Sequence, residues 1–107
     1  MSTYTRKTPA KTDCGIEKTL QVIAGKWKPA ILSGLIRGPL RLTDIQKGLP
    51  EASKRALTQQ LGEMVEDGLI LKEDFNEYPR RTEYTISELG RQLQPVFDAM
   101  TTFASRL

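Results

Sequence analysis

Apolar residues recur at helical spacing over most of this chain, and one later stretch breaks that rhythm. Ile16, Leu20, Ile23 and Ala24 predict a short amphipathic helix from Cys14, ended by Gly25. Trp27 follows as a core anchor, because its large apolar area outweighs a ligand-binding role for a lone tryptophan. Lys28-Pro29 opens a second helix at a position where the missing proline N–H is harmless. Ile31, Leu32, Leu35 and Ile36 form its inner face, and Gly38-Pro39 stops it. Leu40-Arg41-Leu42 suits a short strand. Thr43 is expected to cap a third helix reaching Gly48, with Ile45 and Leu49 inward. Pro50-Glu51-Ala52 then makes a tight turn.

The fourth helix runs from Ser53, a good N-cap, to Gly68, a good stop. Leu57, Leu61, Met64 and Val65 fall on one stripe and are expected in the core. Arg55, Gln59 and Gly62 point away from it, with Lys54 and Thr58 on its flank. The charge order is inverted: Lys54 and Arg55 open the helix, while Glu63, Glu66 and Asp67 close it. A helix dipole favours the opposite order by about 0.3–1 kcal/mol per exposed charge. A polyanion at the N-terminal end would convert that cost into binding energy. Two helices joined by a tight turn, the second basic at its start, is helix-turn-helix organisation.

After Gly68 the period changes to that of strands. Leu69 to Phe75 and Arg81 to Ile86 are rich in β-formers, with Asn76-Glu77-Tyr78-Pro79 as turn residues. A hairpin directly after a recognition helix is a wing, and Arg80-Arg81 open its returning side. Glu73, Asp74 and Glu77 lie close enough in sequence to pair with these cations instead. From Ser87 the helical period returns through Leu89, Leu93, Val96, Phe97, Met100, Phe103, Ala104 and Leu107. Pro95 should kink this helix. Its apolar surplus exceeds what a small domain covers by itself and is assigned to a two-fold dimer interface.

Composition narrows the chemistry. The 107 residues make one domain with a modest core, of which 27% are charged and 38% hydrophobic, as in a folded soluble chain. The net charge of +3 permits a nucleic-acid partner without demanding one. No apolar run is long enough to span a bilayer, and the polar N-terminus has no signal-peptide core, so a cytoplasmic location is expected. Histidine is absent and Cys14 is the single cysteine, which leaves no ligand set for zinc and no histidine-based triad. No phosphate-cradling loop or nucleophile elbow is present, so neither enzyme activity nor a cofactor or metal is expected. Residues 1–12, with Arg6, Lys7 and Lys11, read as a flexible basic arm ahead of a domain spanning 13–107.

In order, these residues resemble a known family. Cys14, Gly25-Lys26-Trp27, Leu40-Arg41, Leu49-Pro50, Ser53, Leu57-Thr58-Gln59-Gln60-Leu61 and Asp67-Gly68-Leu69 carry the likeness. It continues through Pro79, Arg81, Glu83-Tyr84, Glu88-Leu89-Gly90 and Pro95. Together they resemble the HxlR-type winged helix-turn-helix regulators of bacteria, relatives of the MarR-like regulators. The likeness covers Cys14 to about Phe103. Three positions depart from the usual pattern: Gly15 where a proline usually follows the cysteine, Leu42 in place of an aromatic, and Phe103 in place of a late tryptophan. The resemblance implies a mainly α fold with a small β-hairpin wing and a long C-terminal dimerisation helix. It also implies a homodimer, joined through the Leu89–Leu107 helix and the N-terminal segment, on a pseudo-palindromic operator in double-stranded DNA. In some members a cysteine at the place of Cys14 senses oxidants or quinones.

The residues carry specific expected roles. The recognition helix, Ser53 to Asp67, enters the major groove, and the wing, Asn76 to Arg81, lies on the backbone or in the minor groove. Arg55 and Gln59 suit base readout, as arginine pairs with guanine and glutamine with adenine. Thr58 suits a thymine methyl or a phosphate, and Ser53 and Lys54 suit phosphates at the positive helix end. Arg80 and Arg81 suit the wing contact. Cys14 is the regulatory candidate, since a helix N-terminus favours thiolate whereas Asp13 opposes it; a passive small residue is the alternative. The expected function is a repressor with a small-molecule or oxidant effector. The competing class is a winged-helix protein–protein module without DNA binding, whose outer face at Arg55 and Gln59 would tend to be apolar.

Overall fold

The helical and strand periods become six helices and one three-stranded sheet in the computed structural model, which describes residues 14–76, 78 and 81–107. The arm at residues 1–12, Asp13 and Arg80 lie outside the described residues. Helix α1 (Gly15–Ile23) begins at Cys14, whose Sγ accepts the Glu17 N–H at 3.5 Å. Only its C-terminal end is sealed: Ile23 is buried, but Ile16 is 75% exposed and Leu20 is also exposed. The amphipathic stripe of α1 therefore extends past the core that one protomer provides. Helix α2 (Lys28–Arg37) carries Pro29 in its first turn and buries Ile31, Leu32 and Leu35 at the centre of the fold. It packs against the fourth helix, the returning strand and both C-terminal helices.

Strand β1 (Leu40–Arg41) leads directly into α3 (Leu42–Gly48). The expected Thr43 cap is not used. Asp44, at the third position of the helix, accepts the Arg41 N–H at 3.0 Å, so the chain turns helical before Thr43 is reached. Ile45 is buried, and Leu49 packs against the core. The Ala52 N–H donates to the Leu49 carbonyl at 3.0 Å, closing the turn into α4 (Lys54–Glu66).

Helix α4 starts at Ser53, whose Oγ accepts the Ala56 N–H at 3.0 Å. It ends at Gly68, with φ of 78°, where the Leu69 N–H bonds the Met64 carbonyl and the Gly68 N–H bonds that of Val65. That paired closure needs the left-handed residue that glycine supplies. Leu57, Leu61 and Met64 are fully buried, but Val65 is 36% exposed, which corrects its expected place in the core. At 3.6 residues per turn Val65 lies about 80° around the helix from Leu57, at the edge of the stripe.

Strands β2 (Ile70–Phe75) and β3 (Arg81–Ile86) form the wing hairpin, and β3 also pairs with β1, giving an antiparallel order β1-β3-β2. Their register sets Ile70 opposite Ile86, Lys72 opposite Tyr84 and Phe75 opposite Arg81. One face thus carries the buried Ile70, Tyr84 and Ile86, while Leu71, Glu73 and Glu83 face outward. The C-terminal segment is two helices rather than one kinked helix: α5 (Glu88–Arg91) and α6 (Gln94–Ala104). Pro95 sits in the first turn of α6, where its missing N–H has no partner to lose. The break lets Leu93 turn inward, while Leu89, Val96, Met100 and Phe103 stay exposed.

Candidate nucleic-acid interface

The outer face of α4 is built from its sequence spacing. With Leu57, Leu61 and Met64 buried, the residues on the opposite side must face solvent. Ser53, Lys54, Arg55, Thr58 and Gln59 are all exposed, gathered over the first two turns. Arg55 and Gln59 lie one turn apart, separated by about 6 Å of helix rise. The N–H groups of the first turn and the two cations make this end electropositive. No apolar side chain of the first two turns points outward with them, which is the pattern of a polar reading surface and not of a hydrophobic docking face.

Two further residues of α4 make long-range contacts that local patterning does not contain. Gln60 accepts the Trp27 N–H through its Oε1 at 3.0 Å. One turn on, Glu63 Oε1 lies 2.6 Å from Lys28 Nζ, with the lysine side chain 4% and the glutamate 17% exposed. Glu63 therefore belongs to an ion pair and is not a solvated charge of the acidic end read from the sequence. A lysine at the head of an otherwise apolar helix was the one available signal of this arrangement.

The wing contributes less freely than its charges suggest. Arg81 is half-buried, its guanidinium carbon 4.3 Å above the Phe75 ring. Asp74 accepts the Thr82 hydroxyl at 2.6 Å, across the hairpin. Asn76 is exposed and Tyr78, at the tip, is 99% exposed. Tyr84 is held neutral to higher pH than usual, because burial disfavours its phenolate and the Asp74 carboxylate adds to the effect. Cys14 stands apart from this surface at the head of α1 and is half-buried. Among the described residues no cluster of acidic and cysteine side chains could hold a metal ion, and no helix is long and apolar enough to cross a membrane.

A tight-turned helix pair followed by a hairpin wing agrees with what known proteins show of this chain. The profile of the HxlR-like helix-turn-helix family matches residues 22–107. The chain belongs to that family. Among its relatives, the HTH-type transcriptional regulator YtcD of Bacillus subtilis (strain 168) is 37% identical over 95 residues, spanning 89% of this chain and 75% of that protein. A crystal structure of ytcD matches with a TM-score of 0.83 at 36% identity, covering 87% of this chain and 95% of that one. The redox regulator HypR in its reduced form matches with a TM-score of 0.82 at 33% identity, covering 87% and 92%. This HxlR-like chain is thus a transcriptional regulator of helix-turn-helix type and not an enzyme.

Proposed function

We propose that the protein is a dimeric, sequence-specific DNA-binding repressor of the bacterial cytoplasm, with residues 13–107 as its DNA-binding and dimerisation domain and 1–12 as a basic arm. The observation that carries the reading is the outer face of α4, where Lys54, Arg55, Thr58 and Gln59 are exposed on a helix whose other side is locked into the core. In this reading α4 lies in the major groove. Arg55 and Gln59 read base edges, Thr58 touches a thymine methyl or a phosphate, and Ser53 and Lys54 hold phosphates. With its oxygen accepting the Ala56 N–H, the Ser53 hydroxyl keeps its hydrogen for a phosphate oxygen. Arg80 and Arg81 bring the wing to the backbone or the minor groove.

Dimerisation is supported by apolar surface that one protomer leaves open. Pro95, Val96, Ala99, Met100 and Phe103 line an open cleft of about 610 Å³ on α6, and Ile16, Leu20 and Leu89 add to the exposed apolar surface. A second copy related by a two-fold axis would cover such a face and set two α4 helices on the half-sites of a pseudo-palindrome. Cys14 is the proposed point of control by an oxidant or electrophile. Its support is its helix-capping position, together with the likeness to HypR, a redox regulator whose reduced and oxidised forms both match this chain's fold. Selection of bound fragments from a random or genomic DNA library tests the reading. Enrichment of a pseudo-palindromic site by a dimer is the expected result. No enrichment, with a monomer by light scattering, would overturn it.

A further inference from the structure

The entry to α2 is fastened to the middle of α4 by two bonds, from Gln60 beside the buried stripe and from Glu63 on the flank between that stripe and the outer face. The first runs from the Trp27 N–H to Gln60 Oε1 at 3.0 Å, and the second joins Lys28 to Glu63 at 2.6 Å. The two partners are three residues apart, so the bonds engage neighbouring turns and resist rotation of α4 about its own axis. Gly25 lets the corner close: a Cβ there would lie 3.0 Å from Lys28 Cδ and 3.2 Å from Gln60 Oε1. Lys28 is buried and the Trp27–Gln60 bond half-buried, so water replaces these partners less readily than at an open surface. Apolar contacts of Leu57, Leu61 and Met64 hold α4 to the core, yet they are non-directional and tolerate small changes of roll. The two polar bonds are not tolerant in that way.

We infer that Gln60 and Glu63 are positioning residues for DNA readout, fixing the roll of α4 against Trp27 and Lys28 so that Arg55 and Gln59 meet base edges in register. The inference rests on the reading of α4 as a recognition helix. Hydrogen bonds to base edges demand alignment, whereas phosphate contacts are forgiving, so loss of the clamp strikes discrimination before general affinity.

The test measures affinity for the selected operator and for random DNA, alongside thermal stability, in the full-length chain. Lys28→Met combined with Glu63→Leu removes one charge of each sign and refills the space with apolar side chains, a change that buried ion pairs often survive. Its operator-to-random ratio should fall about tenfold, the size of one lost base contact, at near wild-type melting temperature. Gln60→Leu, which removes the acceptor for Trp27, should show the same loss, and Gln60→Glu, which keeps an acceptor, should restore the ratio. Folded variants with an unchanged ratio would overturn the positioning role while leaving the DNA reading intact. If the double variant does not fold, the Gln60 pair decides. A wild-type protein that fails to discriminate operator from random DNA would overturn both proposals.

Discussion

The Arg81 guanidinium carbon lies 4.3 Å above the centroid of Phe75, its cross-strand partner in the wing. The ring holds the cation by its face, a contact worth about 0.5–1 kcal/mol at exposed sites. A cation fixed in this way loses little further entropy when it meets a phosphate. Arg81→Ala should therefore weaken binding to operator and random DNA alike and reduce the salt slope by about one. Phe75→Leu should weaken both by less. Titrations at several salt concentrations check this, and an unchanged slope would remove the wing from the DNA surface.

Gly90 is buried where α5 meets the end of β3. A Cβ there would overlap the Leu69 carbonyl oxygen and lie 2.6 Å from Ile86 Cδ1. The Leu69 carbonyl is held in place, because it accepts the Ser87 N–H at 3.0 Å. Gly90→Ala should cost about 3 kcal/mol, the upper end of ordinary overpacking. Gly62→Ala is the matched comparison, since its Cβ meets open space within α4. There the helix should gain up to about 1 kcal/mol. Urea unfolding midpoints separate the two, and equal midpoints would mean that the α5 junction yields.

What could be read from the sequence was whatever a local period determines. The β-forming residues of Leu69–Phe75 and Arg81–Ile86, with turn residues between them, pointed to the wing, and the stripe Leu57, Leu61, Met64 gave α4 its inner face. The Ser53 and Ser87 caps also act within four residues, and both form as their sequences suggest. Val65 and Ile16 were harder, because a stripe specifies direction but not how far the neighbouring core extends. Pro95 was ambiguous for a related reason: the apolar period passes through it unbroken, and only the backbone decides between a kink and a new first turn. The Trp27–Gln60 bond spans 33 residues and joins a backbone N–H to a side chain, so no local pattern contains it. The exposed face of α4 was legible, being the complement of the buried stripe.

Tyr84 lies on the core face of the sheet, and its phenol titrates above the usual 10.0 because burial disfavours the anion. Below pH 10 the phenol is protonated in both folded and unfolded chains, and the stability it favours is fully present. Above that pH the unfolded chain releases the proton while the folded one retains it, so stability falls as pH rises through the folded value. The slope contributed by one such group approaches about 1.4 kcal/mol per pH unit. Tyr84→Phe should show a shallower alkaline loss than wild type, with little change at pH 7. Superimposable pH–stability curves would exclude Tyr84 as the source.

Cys14 caps α1, the helix whose exposed Ile16 and Leu20 belong to the proposed dimer surface. Modification of its sulfur would remove the acceptor of the Glu17 N–H and place new bulk at the start of that helix. Diamide or a quinone should then release wild-type protein from its operator, and Cys14→Ser should stay bound. A thiol reductant should reverse the diamide effect. Equal release of both proteins would show that Cys14 senses nothing.

Arg55 stands in the first turn of α4 and Gln59 one turn further along the same exposed face. Their separation of about 6 Å along the axis is close to two base steps of roughly 3.4 Å each, so one helix pressed into a groove can present both to bases two steps apart. Arginine at the more electropositive end suits guanine O6 and N7, and glutamine suits adenine N6 and N7. Lys54 is exposed in the same first turn, on the flank of the stripe, and its proposed role is a phosphate contact. Arg55→Ala should therefore cost about 1–3 kcal/mol on the operator and relax the preference at one position of the half-site. Lys54→Ala should lower affinity for operator and random DNA by the same factor. Binding-site selection repeated with each variant distinguishes the two roles. Equal losses on operator and random DNA for Arg55→Ala would move that residue from base readout to the backbone.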